Sequence, residues 1–79
     1  MNTAHNILID ANICHGKPFI RGTRTPVTIV LDALAAGDSH HQIQEDYQIT
    51  EEDIRACIAF ASNEVSHQTY VQLVSVLTR

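Results

Sequence analysis

The stretch Gly16-Lys17-Pro18-Phe19-Ile20-Arg21-Gly22-Thr23-Arg24-Thr25-Pro26-Val27 holds both prolines, two of the three glycines and three of the five Lys and Arg residues. Pro18 fixes its own φ and moves Lys17 away from the helical region. Phe19 and Ile20 are strand-forming residues. The sequence therefore predicts a short extended ribbon at this point in the chain.

The end of the ribbon predicts the start of a helix. Gly22 permits a backbone turn that a side chain would resist. Thr25 is expected to be the helix N-cap, with Pro26 at the first helical position, where its missing N–H costs nothing. The ribbon also presents three positive charges, carried by Lys17, Arg21 and Arg24.

A second strand is expected upstream, over the apolar residues 7–9, and a loop joins it to the strand predicted over residues 19–21. The two strands are expected to pair with each other or with a second copy of the chain. Two isolated strands are unstable in water, so a helical layer must cover them.

Downstream of Pro26 the apolar spacing becomes that of a helix. Val27, Val30, Leu31 and Leu34 fall on one helical face. Gly37 stands where a left-handed residue would end that helix. The pattern predicts a first helix that begins at Pro26 and stops before Gly37.

Two further helices follow this stop. Ser39 and Gln42 have the spacing of a capping box, which predicts the start of a short second helix. Ile43 and Tyr47 share one face of that helix. A turn at 47–49 leads into a third helix. Two helices joined by so short a turn, after a first helix, fit a helix-turn-helix arrangement.

The third helix is predicted to begin at Thr50, with acidic side chains in its first turn, where the helix dipole favours them. Ile49 and Ile54 can pack across the cap as a hydrophobic staple. The buried stripe is expected to contain Ile54, Ile58, Ala61 and Val65, widened by Cys57 and Phe60.

The fold class predicted is therefore mainly α, a small three- to four-helix helix-turn-helix domain of homeodomain-like form with an N-terminal β ribbon. The 79 residues indicate one domain, 1–79, with a ribbon at 1–25, a trihelical core at 26–65 and a C-terminal extension at 66–79. A core of this size is marginal alone, which favours a homodimer.

The extension has two possible conformations. Tyr70, Leu73, Val74 and Leu77 fit one helical face, while its valines and threonines favour a strand. We favour the helix. These four apolar residues are the predicted partner-binding set, which covers the core, pairs subunits or docks on another protein.

Charge divides the chain into two parts. Residues 1–30 carry three cations against Asp10, a balance of +2, whereas residues 31–64 carry eight carboxylates against Arg55, a balance of −7. The whole chain has a net charge of −4. Because phosphate attraction dominates generic nucleic-acid affinity, any nucleic-acid contact must be local to the ribbon.

No residue pattern predicts a catalytic centre, a metal site or a cofactor. His40 and His41 are adjacent, so on a helix they cannot both face one ion, and the other histidines and cysteines match no ligand spacing. Cys14 and Cys57 are interpreted as reduced thiols of a cytoplasmic protein, because no secretory signal precedes them. Cys57 is expected in the core rather than as a nucleophile.

The candidate site is the ribbon. Its donors could reach phosphates or base edges and consist of Lys17, Arg21, Thr23 and Arg24. The alternative is that these charges only keep the domain in solution or pair with the acidic helices. The residues alone leave both interpretations open.

Several spaced elements resemble a small prokaryotic family known as domain of unknown function 433. The resemblance begins in the ribbon and covers roughly residues 7–62. Its elements are Gly16-Lys17-Pro18, Ile20, Gly22-Thr23-Arg24, Pro26-Val27, Ala35-x-Gly37, Asp46-Tyr47, Thr50-Glu51-Glu52-Asp53-Ile54 and Ala59-Phe60-Ala61. The family usually has Pro where this chain has Gln48, and Ile or Val where it has Thr25.

The resemblance implies a helix-turn-helix-like domain similar to the antitoxin of a VapB-type toxin–antitoxin pair. Such antitoxins are small, dimeric and cytoplasmic. They neutralise a ribonuclease toxin of the PIN class, encoded next door, and bind their own operator DNA. The expected function is therefore that of a DNA-binding antitoxin, and the alternative is a helical dimerisation or adaptor module that binds no DNA.

Overall fold

Three short strands and three helices form the part of the chain that the computed structural model describes, residues 2–4 and 6–66. The fold is mainly helical, as predicted. The strands are β1 (Asn2–Ala4), β2 (Ile7–Leu8) and β3 (Phe19–Ile20), and the helices are α1 (Val27–Ala35), α2 (His40–Tyr47) and α3 (Glu51–Glu64).

The strands form one antiparallel sheet in the order β1-β2-β3. Ile7 pairs with Ile20, and Leu8 pairs with Phe19. Ile7 and Ile20 are fully buried in the main core cluster, whereas Leu8 and Phe19 lie on the opposite face because strand side chains alternate. Of the two alternatives that the sequence left open, the structure has the two predicted strands paired with each other, and β1 is an addition that the sequence did not reveal.

The outer edge of β3 is paired with the segment that precedes α1. Thr25 O accepts a hydrogen bond from Ile20 N at 3.0 Å, and Pro26 forms a bridge with Phe19. The N-cap of α1 is Pro26, with φ −66° and ψ 148°, and no side chain of the described residues caps the helix. The predicted Thr25 cap is therefore wrong, because Thr25 belongs to an extended segment that β3 holds in place.

Helix α1 buries Val27, Val30 and Ala33 and ends as predicted at a left-handed glycine. Gly37 has a φ of 94°, and Asp38 N donates to Ala33 O at 3.1 Å. Gly37 N also donates to Leu34 O, and the two bonds satisfy carbonyl groups in the last turn of the helix.

Helix α2 has half of the predicted capping box. Ser39 Oγ accepts from Gln42 N at 3.1 Å, but the Gln42 side chain donates to Asp46 instead of returning to the cap. Ile43 is fully buried, while Tyr47, one turn later on the same side, is 36% exposed. The helix is thus anchored to the core by Ile43.

Helix α3 begins at the predicted N-cap. Thr50 Oγ1 accepts from Asp53 N at 3.1 Å, and Asp53 Oδ2 accepts from Thr50 N at 3.0 Å. Ile49 and Ile54 flank this cap and are both buried in the main cluster, as a hydrophobic staple requires. Gln48, in the turn before the cap, is left-handed with a φ of 55°.

The buried stripe of α3 differs from the predicted one. Ile54 and Cys57 are fully buried, but Ile58 is 42% exposed and Val65 56% exposed. Viewed down the helix axis, Ile58 is rotated by about 40° from Ile54, in the direction opposite to Cys57. The core contacts the Cys57 side, which leaves Ile58 exposed, while Val65 is exposed at the C-cap of α3. The inclusion of both residues in the buried stripe is therefore wrong.

The predicted partner-binding residues Tyr70, Leu73, Val74 and Leu77 lie outside the described residues, as does the conformation expected for the extension. In the described part of the chain, no helix has both the length and the apolar character needed to cross a membrane.

Candidate functional site

The predicted cations lie on exposed parts of the ribbon. Lys17 precedes β3, Arg21 follows it directly, and Arg24 lies in the turn that leads back to Pro26. All three residues are exposed. The structure therefore gathers them around one two-residue strand.

The turn between Arg21 and Arg24 is held by Thr23. Its hydroxyl donates to Ile20 O at 2.8 Å and accepts from Thr25 N at 3.0 Å. Gly22 has a φ of 78°, which a glycine adopts without strain. The single hydroxyl proton of Thr23 is thus committed to the turn. A nucleic-acid contact by Thr23 stays a prediction, and the structure gives the side chain a role in positioning its neighbours.

The loop before Lys17 contains a left-handed turn that the sequence did not reveal. Cys14, His15 and Gly16 have φ values of 52°, 57° and 79°. The Cys14 thiol donates to Arg24 O at 3.2 Å. Only Gly16 indicates a left-handed conformation in the sequence, because cysteine and histidine rarely adopt it.

Two carboxylates of the helices, those of Glu51 and Glu45, have ion-pair partners within the helices, although the histidine partners are charged only when protonated. His40 Nδ1 lies 2.9 Å from Glu51 Oε1, Arg55 Nε lies 3.2 Å from Glu51 Oε2, and His41 pairs with the carboxylate one turn later. The hydrogen bond from His40, followed by that from Arg55, lowers the pKa of Glu51. The acidic body therefore compensates part of its charge by itself.

Two of the three ribbon cations form no ion pair within the described residues. Neither Lys17 nor Arg24 forms an ion pair with any residue of 2–4 or 6–66. Pairing with the acidic helices, the alternative raised by the sequence, therefore does not account for these two charges. Their side chains remain available to an anion from outside the domain.

The start of α3 is contacted by Asn6 of the ribbon. Asn6, between β1 and β2, has its amide nitrogen 3.4 Å from Glu52 Oε1 and 3.4 Å from Asp53 Oδ1. Its carbonyl accepts from Arg21 N at 2.8 Å. A recognition helix contacts bases with its N-terminal residues, and here those residues are acidic and lie against the sheet. The geometry does not suit major-groove insertion of α3.

An open groove of about 520 Å³ lies beside the cationic turn. Apolar and polar side chains both line it. Its lining residues are Leu8, Ile9, Asp10, Ile13, Phe19, Gly22, Thr23 and Arg24. The sequence did not predict this groove, since its walls come from separate segments of the ribbon.

Cys57 occupies the position expected of a core residue. It is fully buried in the main cluster, and burial raises the pKa of its thiol to about 11. A thiol that stays protonated at neutral pH is a poor nucleophile. In residues 2–4 and 6–66, no three His, Cys, Asp or Glu side chains are grouped so that they could hold a metal ion.

These features define a small, mainly helical domain with a cationic ribbon on an acidic body. The chain belongs to the family described as Protein of unknown function (DUF433), which matches residues 7–61 and thus more than half of the chain. The match agrees with the resemblance seen in the ribbon and helices. No curated protein and no solved structure matched the chain.

Proposed function

We propose that this protein is an antitoxin-like DNA-binding protein of a type II toxin–antitoxin pair. In this role it neutralises a PIN-type ribonuclease toxin encoded next door and represses its own operon, without catalytic activity or a cofactor of its own. The observation that carries the DNA part is the pair of exposed cations Lys17 and Arg24, which have no ion pair among the described residues. The toxin part rests on the resemblance.

The proposed DNA contact is the ribbon and not a recognition helix. Basic side chains on a short turn can contact phosphates without entering a groove deeply. The first turn of α3 carries three acidic residues, Glu51, Glu52 and Asp53, which phosphates would repel. The family resemblance supports DNA binding in general, and the charge distribution favours the ribbon as its surface.

The proposal includes a homodimer. Repulsion between phosphates and the acidic body weakens binding by one subunit, since the chain has a net charge of −4. Two subunits would bring two ribbons to the DNA and double the number of phosphate contacts. Light scattering at micromolar concentration should then give about twice the monomer mass, and a concentration-independent monomer would contradict this part.

The DNA proposal is tested by a mobility-shift titration on the region upstream of the gene at two salt concentrations, with and without the neighbouring gene product. The Lys17→Ala/Arg24→Ala variant should bind more weakly, and its salt slope should fall by about one unit for each phosphate that is no longer neutralised. Arg55→Ala is the matched control, because Arg55 is an exposed arginine already paired with Glu51.

Circular dichroism should show the same helix content in all these variants. An absence of any shift, with or without the partner, would reject DNA binding. A larger loss of affinity from Arg55→Ala than from the ribbon variant would keep DNA binding but transfer it to α3.

A second candidate function is an adaptor module that binds protein and no DNA. It is favoured by the exposed apolar residues Ile58 and Val65, which lie about two turns apart on one side of the end of α3. Co-purification with the neighbouring gene product tests it. Ile58→Lys should abolish that complex if α3 is the docking surface, and an intact complex would argue against it.

A further inference from the structure

The groove on the ribbon has an apolar floor and a polar rim. The floor lies on the sheet face opposite the main core, because Leu8 and Phe19 alternate with the buried Ile7 and Ile20. Ile13, from the loop, completes this floor. The rim consists of Asp10, Thr23 and Arg24.

The polar groups of the rim differ in what they can offer a ligand. Asp10 Oδ1 accepts a hydrogen bond from Asn12 N at 2.8 Å, so its carboxylate is partly occupied by its own loop. The Thr23 hydroxyl donates its proton to Ile20 O. Arg24 has no ion pair among the described residues. The rim therefore carries one carboxylate, that of Asp10, and one guanidinium, that of Arg24. Of the two, the guanidinium is the group that can bind a ligand carboxylate, through two parallel hydrogen bonds.

A strained turn connects the floor to the rim. Cys14 and His15 are left-handed, a conformation that non-glycine residues keep only where the surrounding structure imposes it, as at ligand clamps. Gly16 N donates to Ile13 O at 3.0 Å, and the Cys14 thiol donates to Arg24 O at 3.2 Å. Through these two bonds the turn links the backbone of Ile13, in the floor, to the backbone of Arg24, on the rim.

We propose that this groove binds a segment of a protein partner that places an apolar side chain on the floor and a neighbouring Asp or Glu on Arg24. Anchor side chains in preformed pockets dominate the affinity of protein interfaces. Arg24 favours an acidic neighbour that contacts the guanidinium itself, because the Asp10 carboxylate repels an acidic side chain elsewhere on the rim. This proposal does not depend on DNA binding. It requires the apolar floor of the groove together with Arg24, whereas the proposed DNA contact requires only the charges of Lys17 and Arg24.

Two other classes of ligand fit the groove less well. A nucleic-acid base needs an exposed aromatic face for stacking, and Phe19 is only 3% exposed. A small molecule is usually enclosed over most of its surface, whereas this groove is open to solvent. An apolar side chain of a protein partner needs the groove to cover only one of its faces, because the partner itself covers the others.

The test uses the full chain with its Leu and Ile methyl groups labelled for NMR. The probes are three short peptides that differ only in one central pair: Leu-Glu, Leu-Gln and Ser-Glu. The Leu-Glu peptide should shift the methyl signals of Leu8 and Ile13 but not that of Ile58, and should bind at least about tenfold more tightly than the other two.

Variants then separate the two contacts. Leu8→Trp should fill the groove and abolish binding of the Leu-Glu peptide. Arg24→Glu, at an exposed position, should remove the preference for Leu-Glu over Leu-Gln, while Lys17→Ala should preserve it. Circular dichroism establishes that each variant is folded, and Arg24→Glu decides the question if Leu8→Trp does not fold.

Three results would overturn the proposal. The first is equal affinity for the three peptides with the native chain. The second is a set of shifts centred on Ile58 instead of Leu8 and Ile13. The third is a shift of the groove methyls by a short DNA duplex alone, with none from any peptide. Loss of DNA binding in Lys17→Ala with intact peptide binding would separate this site from the proposed DNA contact.

Discussion

The described part of the ribbon, residues 2–4 and 6–25, and the helical core, residues 26–65 and called the body below, keep their structure by different means. The body encloses a cluster of apolar side chains and pairs Glu51 and Glu45 with its own histidines and Arg55. The ribbon contributes Ile7 and Ile20 to that cluster. The rest of the ribbon is held by backbone hydrogen bonds and by side-chain hydrogen bonds that include those of Thr23, Cys14 and Asp10.

The difference explains why the binding proposals fall on the ribbon. A cation that forms no ion pair with its own chain can contact an incoming anion directly, whereas the excess of carboxylates on the body repels it. Lys17 and Arg24 have no such pairs within residues 2–4 and 6–66. The body supplies stability, and the turn that it supports presents charge and an apolar groove.

The largest effect is expected where the two regions meet. Ile20→Ala removes a fully buried side chain that joins the sheet to the helices, and should lower the free energy of unfolding by about 2–5 kcal/mol. The total for a domain of this size is roughly 4–12 kcal/mol. Urea unfolding measures the change. Ile58→Ala is the matched control, because Ile58 is 42% exposed, and it should change the value by less than about 1 kcal/mol.

An equally small decrease in the two variants would mean that the ribbon does not depend on the body. An equally large decrease would mean that Ile58 is covered in solution, which would favour the adaptor module.

A smaller effect should separate the two threonines that precede helices. Thr50→Ala removes the hydrogen bond that its hydroxyl accepts at the cap of α3 and should cost about 1 kcal/mol. Thr25→Ala should cost less than half of this, because no side chain of the described residues caps α1. Thermal unfolding of both variants makes the comparison. If Thr25→Ala proved as costly as Thr50→Ala, the extended pairing before α1 would be wrong.

The smallest effect concerns the turn inside the body. Gln48→Gly should raise the free energy of unfolding by up to about 1 kcal/mol, because glycine adopts a φ of 55° without strain. The gain is reduced because the variant lacks the hydrogen bond from Gln48 Nε2 to Glu45 O. Gln48→Pro should lower stability, since proline cannot adopt this φ. Chemical unfolding of both variants should therefore show opposite signs.

Gln48→Pro also bears on the family pattern, in which proline usually occupies this position. A stable proline variant would show that the turn can change its conformation. A clear decrease in stability would show that this chain has a turn of its own between α2 and α3.

Local signals in the sequence predicted much of the body. Gly37 ends α1, Ser39 caps α2 and Thr50 caps α3, since each of these devices depends on residues within one or two turns of the chain. The pairing of the two ribbon strands was one of two alternatives. The charge of the ribbon was also evident, because exposed lysine and arginine need no tertiary contact to remain charged.

The sequence by itself determined the three helices, the strands β2 and β3, most of their boundaries and the separation of charge, because these depend on near neighbours along the chain. Only the tertiary structure decided that Thr25 and Pro26 pair with β3, that the Cys57 side of α3 is buried instead of the Ile58 side, and that Ile13 and Arg24 line one groove. Each of these outcomes depends on contacts with other segments, where competing local preferences are nearly equal and packing selects one of them.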